Sequence, residues 1–128
     1  MAMAGDILAG RPILLVEDDA MVALEIKRML HSIGVDVVGP AWSMKYALEL
    51  IRSRKVDAAV VDLNLRDGRA EPALLALADR AIPFLVITGQ SLKLEEPLNR
   101  APVLTKPFTA SHLKSSLLRI MPLLADGD

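Results

Sequence analysis

The sequence contains no cysteine and few aromatic residues, and both deficits limit what the protein can be. Without cysteine there are no disulfides, no zinc sites with thiolate ligands and no thiol nucleophile. A chain without disulfides fits a reducing compartment, so we expect a cytoplasmic location. Aromatic residues make up 3% of the chain against 52% for hydrophobic residues, so the core must be packed from aliphatic side chains.

Long apolar runs and an excess of positive charge are also missing. No run approaches the roughly 20 apolar residues that span a bilayer, and Met1–Gly10 lacks the positive charge of a secretion signal. The formal net charge is −1, with no cluster of lysine and arginine that could displace counterions from DNA. We therefore expect neither a membrane nor a nucleic acid as a partner.

Short apolar runs alternate with segments of helical periodicity along the chain. Strands are predicted at Pro12–Glu17, Val35–Val38, Ala58–Asp62, Phe84–Thr88 and Val103–Thr105, with Gly39-Pro40 closing the second. Strands separated by helices lie parallel, and the third and fourth are apolar throughout, as expected when helices cover both faces of the sheet. The pattern predicts an α/β flavodoxin-like doubly wound fold, with a five-stranded parallel sheet in the order 2-1-3-4-5.

Four helices have recognisable start or stop signals, and a fifth segment is ambiguous. The predicted helices begin near Ala20, after Ser43, near Pro72 and after Thr109, and Gly34 ends the first. The apolar stripe of the last helix comprises Leu113, Leu117, Ile120 and Leu124. Pro97 and Pro102 interrupt the helical pattern of the stretch Ser91 to Ala101, so the helix between the fourth and fifth strands should be short or irregular. The length of 128 residues allows one domain, which we place at 12–124, after an extension at 1–11 and before a tail at 125–128.

Charged and hydroxyl residues stand at the carboxyl ends of the predicted strands, which gather at one edge of a parallel sheet. Glu17 and Asp18 follow the first strand, Asp62 and Thr88 end the third and fourth, and Lys106 follows the fifth. Crowded carboxylates raise each other's pKa unless a cation intervenes, and Mg²⁺ favours oxygen ligands. The arrangement predicts a Mg²⁺ site in which one carboxylate attacks phosphorus.

Each of these residues has a predicted part in that chemistry. Asp18 and Asp62 would bind Mg²⁺, Glu17 would bind it directly or through water, and a backbone carbonyl just past Asp62, that of Asn64, could complete the coordination. Lys106 would stabilise the phosphoryl oxygens and Thr88 would donate its hydroxyl. Considered alone, Asp18 or its neighbour Asp19 would more often be a helix N-cap. The presence of two acidic residues beside Asp62 favours a metal site instead.

Four segments together make the chain resemble a response-regulator receiver domain of bacterial two-component signalling. They are Ile13–Asp19, Val61–Gly68, Ile87–Gly89 and Leu104–Phe108, in this order and each at a strand end. The resemblance spans Pro12 to about Leu124. It implies a stand-alone phosphorelay protein that accepts and loses its own phosphoryl group and catalyses no other reaction.

The resemblance also implies residue roles and partners. Asp62 matches the phosphoacceptor, Glu17 and Asp18 the acidic pair, and Thr88 and Lys106 the switch hydroxyl and the phosphate-binding lysine; Asn64 matches the residue whose carbonyl binds Mg²⁺. A cis Lys106-Pro107 peptide is usual in the family. The implied partners are a histidine kinase or histidine phosphotransfer protein and a downstream protein, with the chain a monomer or weak homodimer.

Two departures from the family pattern affect the surface that usually reports phosphorylation. Val103 stands where an aromatic residue is common, and the segment between Thr88 and Lys106 is short. A short segment there is similar to that of receivers acting with alphaproteobacterial histidine kinases. Because Val103 cannot swing like an aromatic ring, we expect backbone movement between Gly89 and Ala101 to carry the signal.

Two other functions remain open from the sequence. The altered Val103 region would suit a receiver-like binding module that is never phosphorylated. A Mg²⁺-dependent phosphatase with an aspartyl nucleophile is less favoured, because the general acid two residues past its nucleophile would here be Asn64, which cannot protonate a leaving alcohol.

Overall fold

The structure is a computed structural model that describes residues 7–65, 68–89 and 94–121. Its main sheet contains five strands: β1 (Pro12–Val16), β2 (Asp36–Ala41), β3 (Ala58–Asp62), β6 (Phe84–Thr88) and β7 (Val103–Thr105). Two short strands, β4 (Asn64–Leu65) and β5 (Gly68–Arg69), form a separate antiparallel pair. The helices are α1 (Ala20–Ile33), α2 (Met44–Ser53), α3 (Glu71–Asp79) and α4 (Ala110–Ile120).

The main sheet is parallel throughout, in the order β2-β1-β3-β6-β7. Because β4 and β5 lie outside it, the five long strands run 2-1-3-4-5, and the predicted doubly wound fold is confirmed. The order reverses between β1 and β3, so the crevice at their carboxyl ends is the place where such sheets bind ligands.

Two aliphatic layers hold the helices against the sheet. Side chains alternate along β1, so that Ile13 and Leu15 join the layer under α1 and α4, while Leu14 and Val16 join the layer under α2 and α3. All five residues of β3 are buried. The central strands are therefore fixed from both faces, and the residues at their carboxyl ends are held on a rigid frame.

Residues before the first strand are also part of this core. Leu8 is fully buried in the layer that includes Met121. The Gly10 N–H donates to the Gly34 carbonyl at 2.8 Å, and the Arg11 guanidinium pairs with Asp57 at 2.6 Å. These contacts tie the approach to β1 to the end of α1 and the start of β3.

The caps predicted for three helices are present. The Ser43 side chain accepts a hydrogen bond from the Tyr46 N–H, and that of Thr109 from the His112 N–H. Gly34 ends α1 in the left-handed conformation, at φ 99°. Local sequence signals thus position the helices as expected.

The prediction that Gly39-Pro40 closes the second strand is wrong, because β2 continues to Ala41. A proline is tolerated there because β2 is an edge strand, where a missing N–H need not break the ladder. Gly39 has φ 101°, and a Cβ at this position would lie 2.7 Å from the Ala41 nitrogen and 2.8 Å from the Leu15 oxygen. Only glycine fits, and the pairing with β1 shifts at this point.

The segment before β7 is irregular, as predicted. Residues 94–101 contain turns and no helix, and Leu94 and Leu98 bury their side chains against the layer under α2 and α3. The start of this segment, the tail and Leu124 lie outside the described residues. The expected cis peptide at Lys106-Pro107 is confirmed. Among the residues that the structure describes, no helix is long and apolar enough to cross a membrane.

Candidate functional site

The sheet brings the predicted site residues to one edge. Asp62 and Thr88 are the last residues of β3 and β6, and Glu17 and Lys106 directly follow β1 and β7. Neighbouring strands are in register there, with Asp62 opposite Ile87, and the Lys106 N–H donates to the Thr88 carbonyl at 2.8 Å. Residues that are far apart in sequence therefore meet at the crevice between β1 and β3.

Lys106 joins the two buried carboxylates of the site. Its Nζ donates to Glu17 Oε2 at 2.9 Å and to Asp62 Oδ2 at 3.2 Å. Glu17 is 1% exposed and Asp62 6%. Buried charges are stable only when they are paired and hydrogen-bonded, so this three-residue network explains how the strand ends can carry carboxylates.

Three carboxylates form a compact oxygen cluster. One oxygen each from Glu17, Asp18 and Asp62 lie within 4.8 Å of one another. Asp19 has a different task, because its side chain accepts from the N–H groups of Met21 and Val22 and caps α1. The two adjacent aspartates therefore divide the roles that the sequence left open, with Asp19 as the cap and Asp18 in the cluster.

The electrostatics of the cluster are those of a site with excess negative charge. Burial raises the pKa of Glu17 to about 7, against the effect of the Lys106 hydrogen bond and with added contributions from Asp62. Burial lowers the pKa of Lys106, but its contacts with Glu17 and Asp62 outweigh this, so the net shift is upward. The single positive charge of Lys106 does not neutralise the negative charge of three carboxylates.

The remaining predicted residues surround Asp62. The Asn64 N–H donates to Asp62 Oδ1 at 3.2 Å, so the two oxygens of Asp62 have separate donors, Asn64 and Lys106. Thr88 is fully buried at the end of the neighbouring strand. The arrangement holds one carboxylate in a fixed orientation beside other carboxylates and a cation, which suits binding of a hard cation together with an anionic group.

One feature beside the cluster was not identified from the sequence. A groove of about 660 Å³ opens from Glu17 and Asp18 and is bordered by Trp42. The sequence favoured Trp42 as a packing residue or loop anchor. It does contact the Tyr46 ring, at 4.8 Å between centroids, yet 62% of it is exposed. The sequence signal that could have indicated this groove was a tryptophan soon after the second predicted strand.

Comparisons with known proteins agree with this geometry, although no family model matches the sequence. The chain is 32% identical over 114 residues to the transcriptional regulatory protein PdtaR of Mycobacterium tuberculosis, covering 84% of this chain and 55% of that protein. It thus spans about half the length of the curated relatives it matches.

Two proteins of known structure are matched by this chain over nearly their whole length. SdrG from Sphingomonas melonis Fr1 is 32% identical with a TM-score of 0.77, over 93% of this chain and 98% of that one. The receiver domain of the sensor histidine kinase PA1611 from Pseudomonas aeruginosa PAO1 is 25% identical with a TM-score of 0.74, over 88% and 98%. That structure has a magnesium ion coordinated in the active-site cleft.

Fold, site and relatives agree on the class of protein. The chain belongs to the response-regulator receiver domains of two-component signalling. The resemblance carried by the four strand-end segments is therefore confirmed at the level of the family.

Proposed function

We propose that the protein is a phosphorylatable switch in which Asp62 accepts a phosphoryl group from a histidine kinase or a histidine phosphotransfer protein. The observation that carries the proposal is the Lys106 ammonium, hydrogen-bonded to Asp62 at 3.2 Å and to Glu17 at 2.9 Å. This network joins three strand ends in one place and sets a positive charge beside the nucleophile. A cation in that position favours the charge of a transferring phosphoryl group.

The residues present suit Mg²⁺ as the cofactor. Glu17, Asp18 and Asp62 place oxygens within 4.8 Å of one another, a spacing that one small cation can bridge. These side chains and the Asn64 carbonyl would hold the ion. When bound, Mg²⁺ supplies positive charge that offsets the carboxylates and the phosphoryl oxygens. The magnesium ion in the related PA1611 receiver supports this assignment.

The chain's own groups then carry the transfer. A carboxylate oxygen of Asp62 attacks phosphorus, the phosphorus–nitrogen bond to the donor histidine breaks, and the imidazole takes up a proton. Lys106 pairs with the phosphoryl oxygens, and the buried Thr88 hydroxyl donates to one of them. The product is an aspartyl phosphate.

The output would be a change in contacts with another protein. The contact surface we favour comprises residues 94–101, β7 and α4. Val103 is 42% exposed on this surface, where it can meet a partner. The protein would work as a monomer or weak homodimer and would not act on other substrates.

Phosphorylation with acetyl phosphate and Mg²⁺, followed by intact-mass measurement, tests the proposal. We expect one phosphoryl group on the wild type and none on Asp62→Asn. Asp79→Asn is a matched control, because Asp79 is an exposed aspartate on α3. An adduct that persisted in Asp62→Asn would contradict the assignment.

A further inference from the structure

The groove beside the carboxylate cluster is shaped by an apolar surface with charge at its borders. Ala20, Ala23 and Leu24 of α1 line it together with Pro40 of β2 and Trp42, which follows β2. Its volume of about 660 Å³ lies within the roughly 300–1,000 Å³ of small-molecule sites. The Mg²⁺ and phosphoryl chemistry proposed above uses none of these five side chains.

The groove and the carboxylate site are joined by the backbone. The Glu17 N–H donates to the Ala41 carbonyl at 2.9 Å, which fixes the end of β1 to the end of β2. Gly39, near the end of β2, allows the close approach of its backbone to Leu15 and Ala41. Trp42 follows directly, so its distance from Glu17 is set by the sheet and not by a free loop.

Trp42 is held in place although most of it is exposed. Its ring contacts Tyr46 at 4.8 Å with an interplanar angle of 47°, and the next residue, Ser43, caps α2. An aromatic side chain that is anchored on one neighbour and 62% exposed offers a prepared surface for another flat group. Leu24, 49% exposed, adds aliphatic surface to the same groove.

Charged side chains stand at the borders of the groove. Glu17 and Asp18 line the groove where it meets the carboxylate cluster, and Lys27 lines it as a cation. A phosphoryl group would be drawn to the cluster only through Mg²⁺ and Lys106. The apolar remainder of the same molecule would then lie against Trp42 and Leu24.

We propose that this groove is a subsite for the body of a small phosphodonor, namely an acyl phosphate whose acyl group is an aromatic ring. The inference rests on the proposed phosphorylation of Asp62 and names a class of donor for it. Because one anchored indole borders the groove that opens from the carboxylate cluster, we take a single flat ring as the body of the donor and not the extended surface of a protein helix.

The reaction needs no additional reagent. An Asp62 oxygen attacks phosphorus, the bond from phosphorus to the bridging oxygen of the acyl phosphate breaks, and the aromatic carboxylate leaves with the electron pair. The subsite binds the acyl group before and during this step. It should therefore lower the KM for aromatic donors and leave kcat nearly unchanged.

Phosphorylation of the full chain by benzoyl phosphate and by acetyl phosphate, with Mg²⁺, tests the subsite. For Trp42→Ala we expect the KM for benzoyl phosphate to rise about tenfold, the loss expected for an aromatic contact with its buried area. The kinetics of Trp42→Ala with acetyl phosphate should match those of wild type. For Trp42→Phe, the KM for benzoyl phosphate should stay close to the wild-type value.

Two exposed leucines provide a matched pair. Leu24 lines the groove at 49% exposure, whereas Leu75 on α3 is 45% exposed and does not line it. Leu24→Ala should raise the KM for benzoyl phosphate and Leu75→Ala should not. If Leu24→Ala and Leu75→Ala changed the KM for benzoyl phosphate equally, or if Trp42→Ala left that KM unchanged, the subsite would be overturned. So would a loss in Trp42→Ala confined to phosphohistidine proteins, which would assign the groove to a protein donor.

A binding measurement separates this inference from the proposed function. Trp42 is the one tryptophan of the chain, so its fluorescence reports on the groove. Phenacylphosphonate, in which a methylene replaces the bridging oxygen of benzoyl phosphate, should change the emission when Mg²⁺ is present, and methylphosphonate should not. If acetyl phosphate failed to label Asp62 the proposed function would fall, whereas equal responses to both phosphonates would overturn the subsite alone.

Discussion

At the scale of single residues, two adjacent aspartates show how position within a turn decides a role. Asp19 turns its carboxylate to the first N–H groups of α1, whereas Asp18 contributes to the oxygen cluster. Both residues have the same chemistry and nearly the same place in the sequence. The geometry of the helix start separates a structural cap from a proposed metal ligand.

This division predicts different responses of the two aspartates to Mg²⁺. A ligand that binds the native state alone stabilises it by about 1.4 kcal/mol at tenfold its Kd. We expect that gain in wild type and in Asp19→Asn, since asparagine is also a good N-cap, and almost none in Asp18→Asn. Chemical denaturation with and without Mg²⁺ measures it, and equal gains in both variants would remove Asp18 from the site.

Lys106 should compete with the metal ion for the same carboxylates. Removing its positive charge relieves repulsion of the incoming cation, so Lys106→Ala should bind Mg²⁺ up to about tenfold more tightly than wild type. Lys106→Arg keeps the charge and should not show this gain. Titration calorimetry gives both affinities, and weaker binding by Lys106→Ala would mean that the lysine organises the site instead of opposing the cation.

At the scale of the elements, the edge strand β2 depends on one glycine. Gly39 and Gly34 have nearly the same backbone angle, φ 101° and 99°, but only Gly39 is crowded by neighbouring backbone atoms. The comparison separates the cost of a left-handed conformation from that of a steric clash. It also concerns the proposed subsite, because Gly39 shapes the end of β2, which leads directly into Trp42.

Alanine at these two positions should therefore differ in cost. Gly34→Ala should lose about 1–2 kcal/mol of unfolding free energy from its left-handed conformation alone. Gly39→Ala should lose a further 1–3 kcal/mol or so, because its Cβ meets the backbone of Ala41 and Leu15. Urea denaturation of both variants measures the difference, and equal losses would show that the strand can move to accept the methyl group.

The sequence predicted the elements whose signals are local and missed those that depend on tertiary contact. Apolar runs and caps were enough to locate the carboxyl ends of β1, β3 and β7, and with them Glu17, Asp62 and Lys106. The extension of β2 through Pro40 could not be predicted, because it requires knowing that β2 is at the edge. The same holds for Leu8, which is buried in a layer that also includes Met121, more than a hundred residues away.

At the scale of the whole molecule, the proposed switch requires a signal to travel from the carboxylate cluster to a surface. Residues 94–101 are connected to the site through β7, which is hydrogen-bonded to β6 beside Thr88. They contain no helix, and their buried contacts include Leu94 and Leu98. A segment held by few buried side chains can shift at lower free-energy cost than a packed helix.

Amide exchange should report this movement. Beryllofluoride with Mg²⁺ mimics the phosphoryl group, and we expect it to change exchange across residues 94–101 in wild type. In Lys106→Ala the change should be smaller, because the ammonium that would contact the mimic is missing. Exchange that changed only outside 94–101 would contradict this route.

The burial of Leu8 and Met121 in one layer has a practical consequence for attaching the protein to other objects. β1 begins at the edge of the sheet opposite the carboxylates, and its five residues separate the two edges by roughly 16 Å at about 3.3 Å per residue. Leu8 precedes this strand, and Met121 follows the helix that starts at the carboxylate edge, so both lie toward the far edge. A surface, dye or fusion joined next to either residue would leave the crevice and the Trp42 groove facing outward, open to donors and partners.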